Sequence, residues 1–171
     1  MTATHQPMPD KKLIEPLFRA IKHVFETNLV RRTSMAGICT PEKLMEVLHG
    51  NDDDFVISVI KCSGDYNCNL SIVSPDGLNF VFARDFLDVD ESMLQLGAEI
   101  PVYRDAAGEL NNMIAGSFRN MLSKGQMELH LTPPFIIDGH KSLIASMLKA
   151  TSIIIAEIKV EEFVVYVSLW S

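Results

Sequence analysis

The sequence lacks an apolar segment long enough to cross a membrane and shows no sign of a secretion signal. The apolar run at residues 152–156 is short against the roughly 20 residues that a spanning helix needs. Residues 1–10 are polar and contain two prolines, unlike the apolar centre of a signal peptide. We therefore predict a cytoplasmic protein without membrane insertion.

Basic residues are too few for a surface that binds nucleic acid. The chain has 15 Lys and Arg against 22 Asp and Glu, which gives a net charge of -7. Proteins that grip a phosphate backbone concentrate Lys and Arg on one face, so we expect no nucleic-acid partner. An acidic surface is compatible with a protein partner that carries a basic patch.

Cysteine and histidine are also sparse, which limits metal and redox chemistry. The three cysteines, Cys39, Cys62 and Cys68, form no C-x-x-C pair, and their odd number fits reduced thiols better than a disulfide framework. Cys62 and Cys68 flank a turn, so they either meet or stay apart as idle thiols. The five histidines are scattered without ligand spacing. We predict no metal site and no cofactor of its own.

The length and composition indicate one globular unit. The chain has 171 residues, of which 47% are hydrophobic and 22% charged, an ordinary balance for a single domain with a substantial core. No linker, low-complexity run or repeat interrupts it. We predict a flexible N-terminal tail over residues 1–12 and a single domain over residues 13–171.

Residues 105–124 form the most informative stretch and predict one long amphipathic helix. At about 100° per residue, its apolar stripe consists of Ala107, Leu110, Ile114, Phe118 and Met121. The opposite side carries Glu109, Asn112, Gly116 and Asn120. Asp105 is predicted to be the N-cap or a first-turn acid.

The outward face of this helix is unusual because its residues disfavour a helix. We place Gly108 on this face as well. All four of its glycines and asparagines have low helix propensity, namely Gly108, Asn112, Gly116 and Asn120. Gly116 alone costs roughly 1 kcal/mol relative to alanine in mid-helix, but it leaves a flat place beside Glu109 where another surface can approach. The face is therefore either an ordinary solvated surface with incidental asparagines or a site that offers one acid and one amide.

The pattern Asp105-x3-Glu109-x2-Asn112, followed by Gly116 and Pro134, resembles the signature of the CheC/CheX/FliY chemotaxis phosphatases. Residues 108–116 are similar to the CheX version, and the resemblance extends over most of residues 13–170. The sequence departs from the family pattern in the segment 40–50, in the polar turn 65–69 and in a slightly displaced proline. Only one Glu-x2-Asn is present, since the first helix lacks a second copy.

This resemblance implies a phosphatase that removes the aspartyl phosphate of a CheY-type response regulator. Asn112 would hold the attacking water in line with phosphorus, and Glu109 would pair with the active-site lysine of the receiver. Gly116 and Asn120 would belong to the partner-binding face, whereas Asp105 would be a structural cap. The receiver's own carboxylates would supply Mg²⁺, so the chain needs no metal.

The residues themselves are consistent with catalysis by positioning. No Ser, Cys or His is predicted beside Glu109 and Asn112 to act as a nucleophile with its base, and phosphoryl transfer can be catalysed by positioning and charge. Asn111 points towards the apolar side and receives no role. Two other interpretations remain open: a non-catalytic adaptor that binds a response regulator or the flagellar switch, and a structural or regulatory domain that retains the fold.

Outside this helix, the patterns predict a mixture of helices and strands. We expect a helix from Pro16, a short helix from Pro41 with Thr40 as its cap, and a hairpin formed by residues 55–62 and 70–73. Residues 74–86 fit either a helix or a strand, and the resemblance favours the helix. Further strands are predicted at 127–131, 135–137, 152–158 and 163–170, while 139–149 stays ambiguous with a helical tendency.

Two acidic segments each allow two interpretations. Residues 51–54 form either a solvated loop or a cation site. The acids Asp85, Asp88, Asp90 and Glu91 either promote solubility or steer a basic partner surface.

The elements together predict an α/β sandwich in the α+β sense. We expect a largely antiparallel sheet of about five or six strands with two long helices on one face, and a last strand buried on one side only. The resemblance implies the same architecture and a homodimer in which the sheets join across subunits. Such pairing would protect an edge strand that otherwise invites aggregation.

Overall fold

The structure, a computed structural model, describes residues 11–49, 55–86, 101–137 and 140–171. The helices are α1 (Lys11–Lys22), α2 (Pro41–His49), α3 (Asp76–Phe86), α4 (Pro101–Lys124) and α5 (His140–Met147). A π-helical turn (His23–Asn28) extends α1. The strands are β1 (Thr33–Cys39), β2 (Phe55–Gly64), β3 (Cys68–Pro75), β4 (Leu129–Leu131), β5 (Phe135–Ile137), β6 (Ile153–Val160) and β7 (Phe163–Trp170).

The strands form one seven-stranded sheet in the order β1-β6-β7-β3-β2-β4, with β5 also paired to β2. Every neighbouring pair is antiparallel, as expected, but the sheet is larger than predicted. The sequence does not predict strand β1, because this strand lies at the edge of the sheet with mostly exposed side chains. Its sequence therefore lacks the alternation by which a half-buried strand is recognised.

Helices cover both faces of the sheet. On the first face, α1, α3 and α4 pack over a core that includes Leu17, Phe25, Phe118 and Val167. On the second face, α2 and α5 cover a smaller core around Leu44, Leu143, Tyr166 and Trp170. The two long helices thus share one face as predicted. Helix α2, within the segment that departs from the family pattern, forms part of the second layer.

This second layer corrects the prediction for the last strand. Residues 165–170 of β7 are all buried, since Val165 and Val167 face the first core while Tyr166 and Trp170 face the second. Alternation in β7 therefore separates two apolar environments rather than core from solvent. Helix α5 lies within the segment 139–149 that the sequence left ambiguous. Together with α2 it covers the second face of the sheet.

The first helix begins five residues earlier than Pro16, at Lys11. Pro16 lies inside α1, where its missing N–H removes one helical hydrogen bond. Leu13 is buried in the same core as Leu17, and its apolar contact favours the longer helix. The boundary between tail and domain stays a prediction, and residues 1–10 lie outside the described residues.

The predicted hairpin and short helices are present. In the β2–β3 hairpin, Cys62 lies opposite Cys68, and both are buried free thiols. Thr40 caps α2, since its Oγ1 accepts a hydrogen bond from the backbone N–H of Lys43 at 3.3 Å. Residues 74–86 form α3 rather than a strand, while the acidic turn 51–54 lies outside the described residues.

Arg31 connects three separate parts of the fold. Its guanidinium forms ion pairs with Asp85 of α3 and, at 3.0 Å, with Glu161 in the β6–β7 turn. Asp85 also accepts a hydrogen bond from Arg84. The hydrogen bond from Arg84, together with the charges of Arg84 and Arg31, holds the pKa of the Asp85 carboxyl below its usual range.

This pairing bears on the predicted acidic patch. Asp85 is already paired with two arginines, so its charge is largely compensated within the fold. The other predicted members, Asp88, Asp90 and Glu91, lie outside the described residues.

The lowered pKa of Asp85 predicts a small, pH-dependent contribution to stability. The ionised carboxylate stabilises the fold above the ordinary Asp pKa of about 3.9, and this contribution is lost as the pH falls through the lower folded-state pKa. We expect Asp85→Asn to reduce the free energy of unfolding by up to about 1 kcal/mol at pH 7, the range of surface ion pairs. Urea denaturation from pH 7 to pH 2 should show this difference shrink as the pH falls.

Glu162→Gln provides the control for this prediction. Glu162 lies beside Glu161 in the same turn but makes no ion pair with any described residue. We expect no comparable change at pH 7. A difference for Asp85→Asn that stays constant down to pH 2 would contradict the assignment.

Candidate functional site

Helix α4 crosses the first face of the sheet between α1 and α3, over β2 and β3. Its predicted apolar stripe is confirmed, because Ala107, Leu110, Ile114 and Phe118 are fully buried and Met121 is partly buried. The helix ends at Lys124, and the N–H of Gly125 donates to the carbonyl of Leu122 at 2.8 Å. The opposite side of α4 consequently faces outwards.

Glu109 and Asn112 meet on this outward face, and both are exposed. The Nδ2 atom of Asn112 donates a hydrogen bond to Oε2 of Glu109 at 3.4 Å. Within the part of the chain that the structure describes, neither side chain has another polar partner. The structure thus brings together the acid and the amide that the spacing predicted, one helical turn apart.

Gly116 lies one turn beyond Asn112 and is half-buried, with open space where a side chain would begin. A Cβ atom built on Gly116 would meet no atom within 4 Å. The flat place predicted on this face is therefore present, and a second surface can approach the backbone of α4 there.

Gly108 does not belong to the outward face, contrary to the prediction. It is buried, and a Cβ atom built on it would lie 3.6 Å from Cγ of Pro134. The loop between β4 and β5 folds back against α4, which brings Pro134 beside the turn that carries Glu109. The helical period placed Gly108 close to the outward face, but only the loop determined that it is covered.

Asp105 is not a cap, which corrects the prediction. Helix α4 begins at Pro101, so Asp105 lies in the second turn and is exposed. Proline is favoured at the first helical position, and this residue starts the helix one turn before the acid. Asn120 is exposed on the predicted side but lies about 12 Å along the axis from Asn112, away from the pair.

Asn111 points into the core, as the periodicity predicted. It is fully buried, and its Nδ2 atom donates to Oγ of Ser58 on β2 at 3.1 Å. Ser58 was not identified from the sequence because a serine within a buried strand carries no signal of its contact with a distant helix.

The described residues contain neither a cluster of three or more metal-binding side chains nor a helix that could span a membrane. No group of three or more His, Cys, Asp or Glu in residues 11–49, 55–86, 101–137 and 140–171 is arranged to hold a metal ion. Among the same residues, every helix falls short of the length and apolar character required to span a bilayer.

The sequence matches a known family model. The model described as chemotaxis phosphatase CheX matches residues 56–156, more than half of the chain, and includes Glu109, Asn112 and Pro134. Among curated proteins, none matches this sequence.

Solved structures show the same architecture. The chain is similar to the chemotaxis protein CheX from Vibrio vulnificus, with a TM-score of 0.66, 16% identity and coverage of 93% of this chain and 98% of that chain. CheX from Desulfovibrio desulfuricans gives a TM-score of 0.65 and 19% identity, with coverage of 94% of this chain and 99% of that chain. A chain of the CheX–CheY–BeF3–Mg complex from Borrelia burgdorferi gives a TM-score of 0.60 and 15% identity, with coverage of 92% of this chain and 96% of that chain. At these identities the likeness shows the fold, and it confirms the predicted α+β sandwich.

The open position of Gly116 predicts that alanine stabilises the protein. Alanine has the higher helix propensity and would meet no neighbouring atom, so we expect Gly116→Ala to raise the free energy of unfolding by about 0.5–1 kcal/mol. Urea denaturation measures this gain. A loss of stability would show that the backbone of α4 is not freely accessible at this position.

Proposed function

Because the chain belongs to the CheX family of chemotaxis phosphatases, we propose that it hydrolyses the aspartyl phosphate of a CheY-type response regulator. The observation that carries this proposal is the contact between Glu109 and Asn112 on an exposed helix face. Such a face is convex and cannot enclose a small substrate. It can instead enter the active site of another protein, where Gly116 lets the two backbones approach.

Asn112 is the catalytic residue in this proposal. Its amide orients a water molecule in line with the phosphorus atom, as an amide side chain does in other phosphoryl-transfer enzymes. The water oxygen forms a bond to phosphorus while the bond between phosphorus and the aspartyl oxygen breaks. Phosphate leaves, and the receiver regains its free carboxylate. No covalent intermediate on this chain is required.

Glu109 fixes the position of the two proteins. Its carboxylate pairs with the active-site lysine of the receiver, and this pairing replaces the hydrogen bond to Asn112 seen in the isolated chain. The bond of 3.4 Å is long for an amide donor, so little is lost when the amide turns towards water. Mg²⁺ is held by the receiver's own carboxylates, which fits a chain whose described residues form no metal cluster.

The choice of partner is supported by one solved structure. A protein of similar fold, CheX from Borrelia burgdorferi, forms a complex with CheY, BeF3 and Mg. We place this chain in the cytoplasm, in keeping with its polar first ten residues and its free thiols. A non-catalytic adaptor that binds a response regulator or the flagellar switch is the alternative that the activity assay below distinguishes.

The edge of the sheet supports a homodimer as part of this proposal. Strand β1 is seven residues long and, among the described strands, pairs with β6 alone. Met35 and Ile38 on it are about half exposed. The opposite edge consists of the three-residue strands β4 and β5, and short edges resist further pairing. A second copy of the chain would pair with β1 and join the two sheets.

The catalytic assignment predicts different effects for two substitutions. With a phosphorylated CheY-type receiver of the same organism and Mg²⁺, we expect wild type to accelerate phosphate release. Asn112→Ala should reduce this acceleration by about 10²-fold or more while binding is retained. Glu109→Ala should weaken binding to the receiver because it removes the charged contact.

Asn28→Ala serves as the control, since it removes an exposed amide from the π-helical turn that extends α1, outside the proposed site. We expect it to retain most of the activity. If wild type binds the receiver and phosphate is released no faster than from the receiver alone, the chain is an adaptor.

The proposed dimer predicts that a charge on β1 separates the subunits. We expect Ile38→Lys to shift the protein from dimer to monomer in analytical ultracentrifugation, because like charges would face each other across the joined edge. Leu148→Lys is the control, as Leu148 is an exposed apolar residue just beyond α5. A wild-type protein that sediments as a monomer at micromolar concentration would contradict the dimer.

A further inference from the structure

The side chain of Asn111 is an unusual feature of the first core. It is fully buried on the sheet-facing side of α4, among apolar neighbours that include Leu110 and Ile114. Its Nδ2 atom donates to Oγ of Ser58 at 3.1 Å. Its Oδ1 atom is buried and has no hydrogen-bond partner among the described residues.

Stability alone does not account for this arrangement. A buried carbonyl oxygen without a partner is unfavourable, because it has lost its hydrogen bonds to water. Replacing a buried polar pair by apolar residues of similar size is often neutral or stabilising. The hydrogen-bonded pair of Asn111 and Ser58 therefore has a property that apolar packing lacks.

This property is directionality, because a hydrogen bond requires its donor and acceptor to be aligned. Hydrophobic contacts are non-directional, so a helix packed by them alone can rotate or slide slightly on the sheet. The bond between Asn111 and Ser58 joins the middle of α4 to β2, a strand that is paired on both sides. It therefore fixes both the rotation and the axial position of α4.

The exposed pair shares this turn of the helix. Asn111 precedes Asn112 directly and follows Glu109 by two residues, and Gly108 in the same turn contacts Pro134. Side chains extend about 5–6 Å from the helix axis, so a rotation of about 10° would move the Asn112 amide by about 1 Å. A displacement of this size can reduce a reaction rate by about 10²-fold.

We propose that Asn111 is a positioning residue, whose hydrogen bond to Ser58 sets the rotation of α4 at which Glu109 and Asn112 meet the receiver. The proposal rests on the phosphatase function proposed above. Asn111 touches neither receiver nor water, and it acts only through Asn112 and Glu109.

Two isosteric substitutions at Ser58 test this role. Ser58→Thr and Ser58→Val add nearly the same volume to β2, but only threonine keeps a hydroxyl that accepts the bond from Asn111. We expect Ser58→Thr to retain kcat close to wild type and Ser58→Val to lower kcat by about tenfold to a hundredfold. KM for the phosphorylated receiver should change much less, because the attraction between Glu109 and a lysine falls off only gradually with distance, whereas in-line attack depends on close alignment.

Substitution of Asn111 completes the test. Asn111→Leu should lower kcat to a similar extent without reducing the melting temperature, and the double variant Ser58→Val with Asn111→Leu should be no slower than either single variant. Ile114→Val is the matched control on the same buried side of α4. It should lower the melting temperature through lost packing and leave kcat unchanged.

The outcomes separate this inference from the phosphatase proposal. A wild-type protein that does not accelerate dephosphorylation overturns both. An active wild type with equal kcat for Ser58→Thr and Ser58→Val overturns the positioning role alone. If Asn111→Leu fails to fold, the comparison of kcat between Ser58→Thr and Ser58→Val still tests the positioning role.

Discussion

The packing of α4 against the sheet is the constraint on which the rest of the structure depends. Leu110, Ile114, Phe118 and Leu122 are fully buried on one side of this helix, and burial stabilises the fold by about 1.5–3 kcal/mol for each such side chain. These contacts hold α4 against the sheet and thereby keep Glu109 and Asn112 on its outward side. The exposed pair therefore depends on a core to which it does not belong.

The two helical layers make the sheet a firm support for α4. Strands β2 and β3, which lie under α4, contribute side chains both to the core covered by α1, α3 and α4 and to the core covered by α2 and α5. Interiors of this kind are close-packed and deform little. A mechanism that relies on the position of one amide requires such support.

The exposed face of α4 contains the minimum that positioning chemistry requires. An acid, an amide and an open glycine lie within two turns, and the Glu109–Asn112 bond is long enough to be exchanged for contacts with a partner. Everything else in the proposed reaction, including the phosphoryl group, Mg²⁺ and the lysine, belongs to the receiver. Because the proposed reaction takes these groups from the receiver, a chain without a metal cluster in its described residues can belong to a phosphatase family.

The sequence by itself determined the features that depend on neighbouring residues. The helical period placed Glu109 and Asn112 opposite Leu110 and Ile114, and alternation identified β7 with its observed bounds. Only the tertiary structure decided which elements meet: β1 beside β6, Pro134 on Gly108, and Ser58 bonded to Asn111 across 53 positions of the chain. Periodicity is a local property of the backbone, whereas these contacts depend on how distant segments pack, and no local pattern records that.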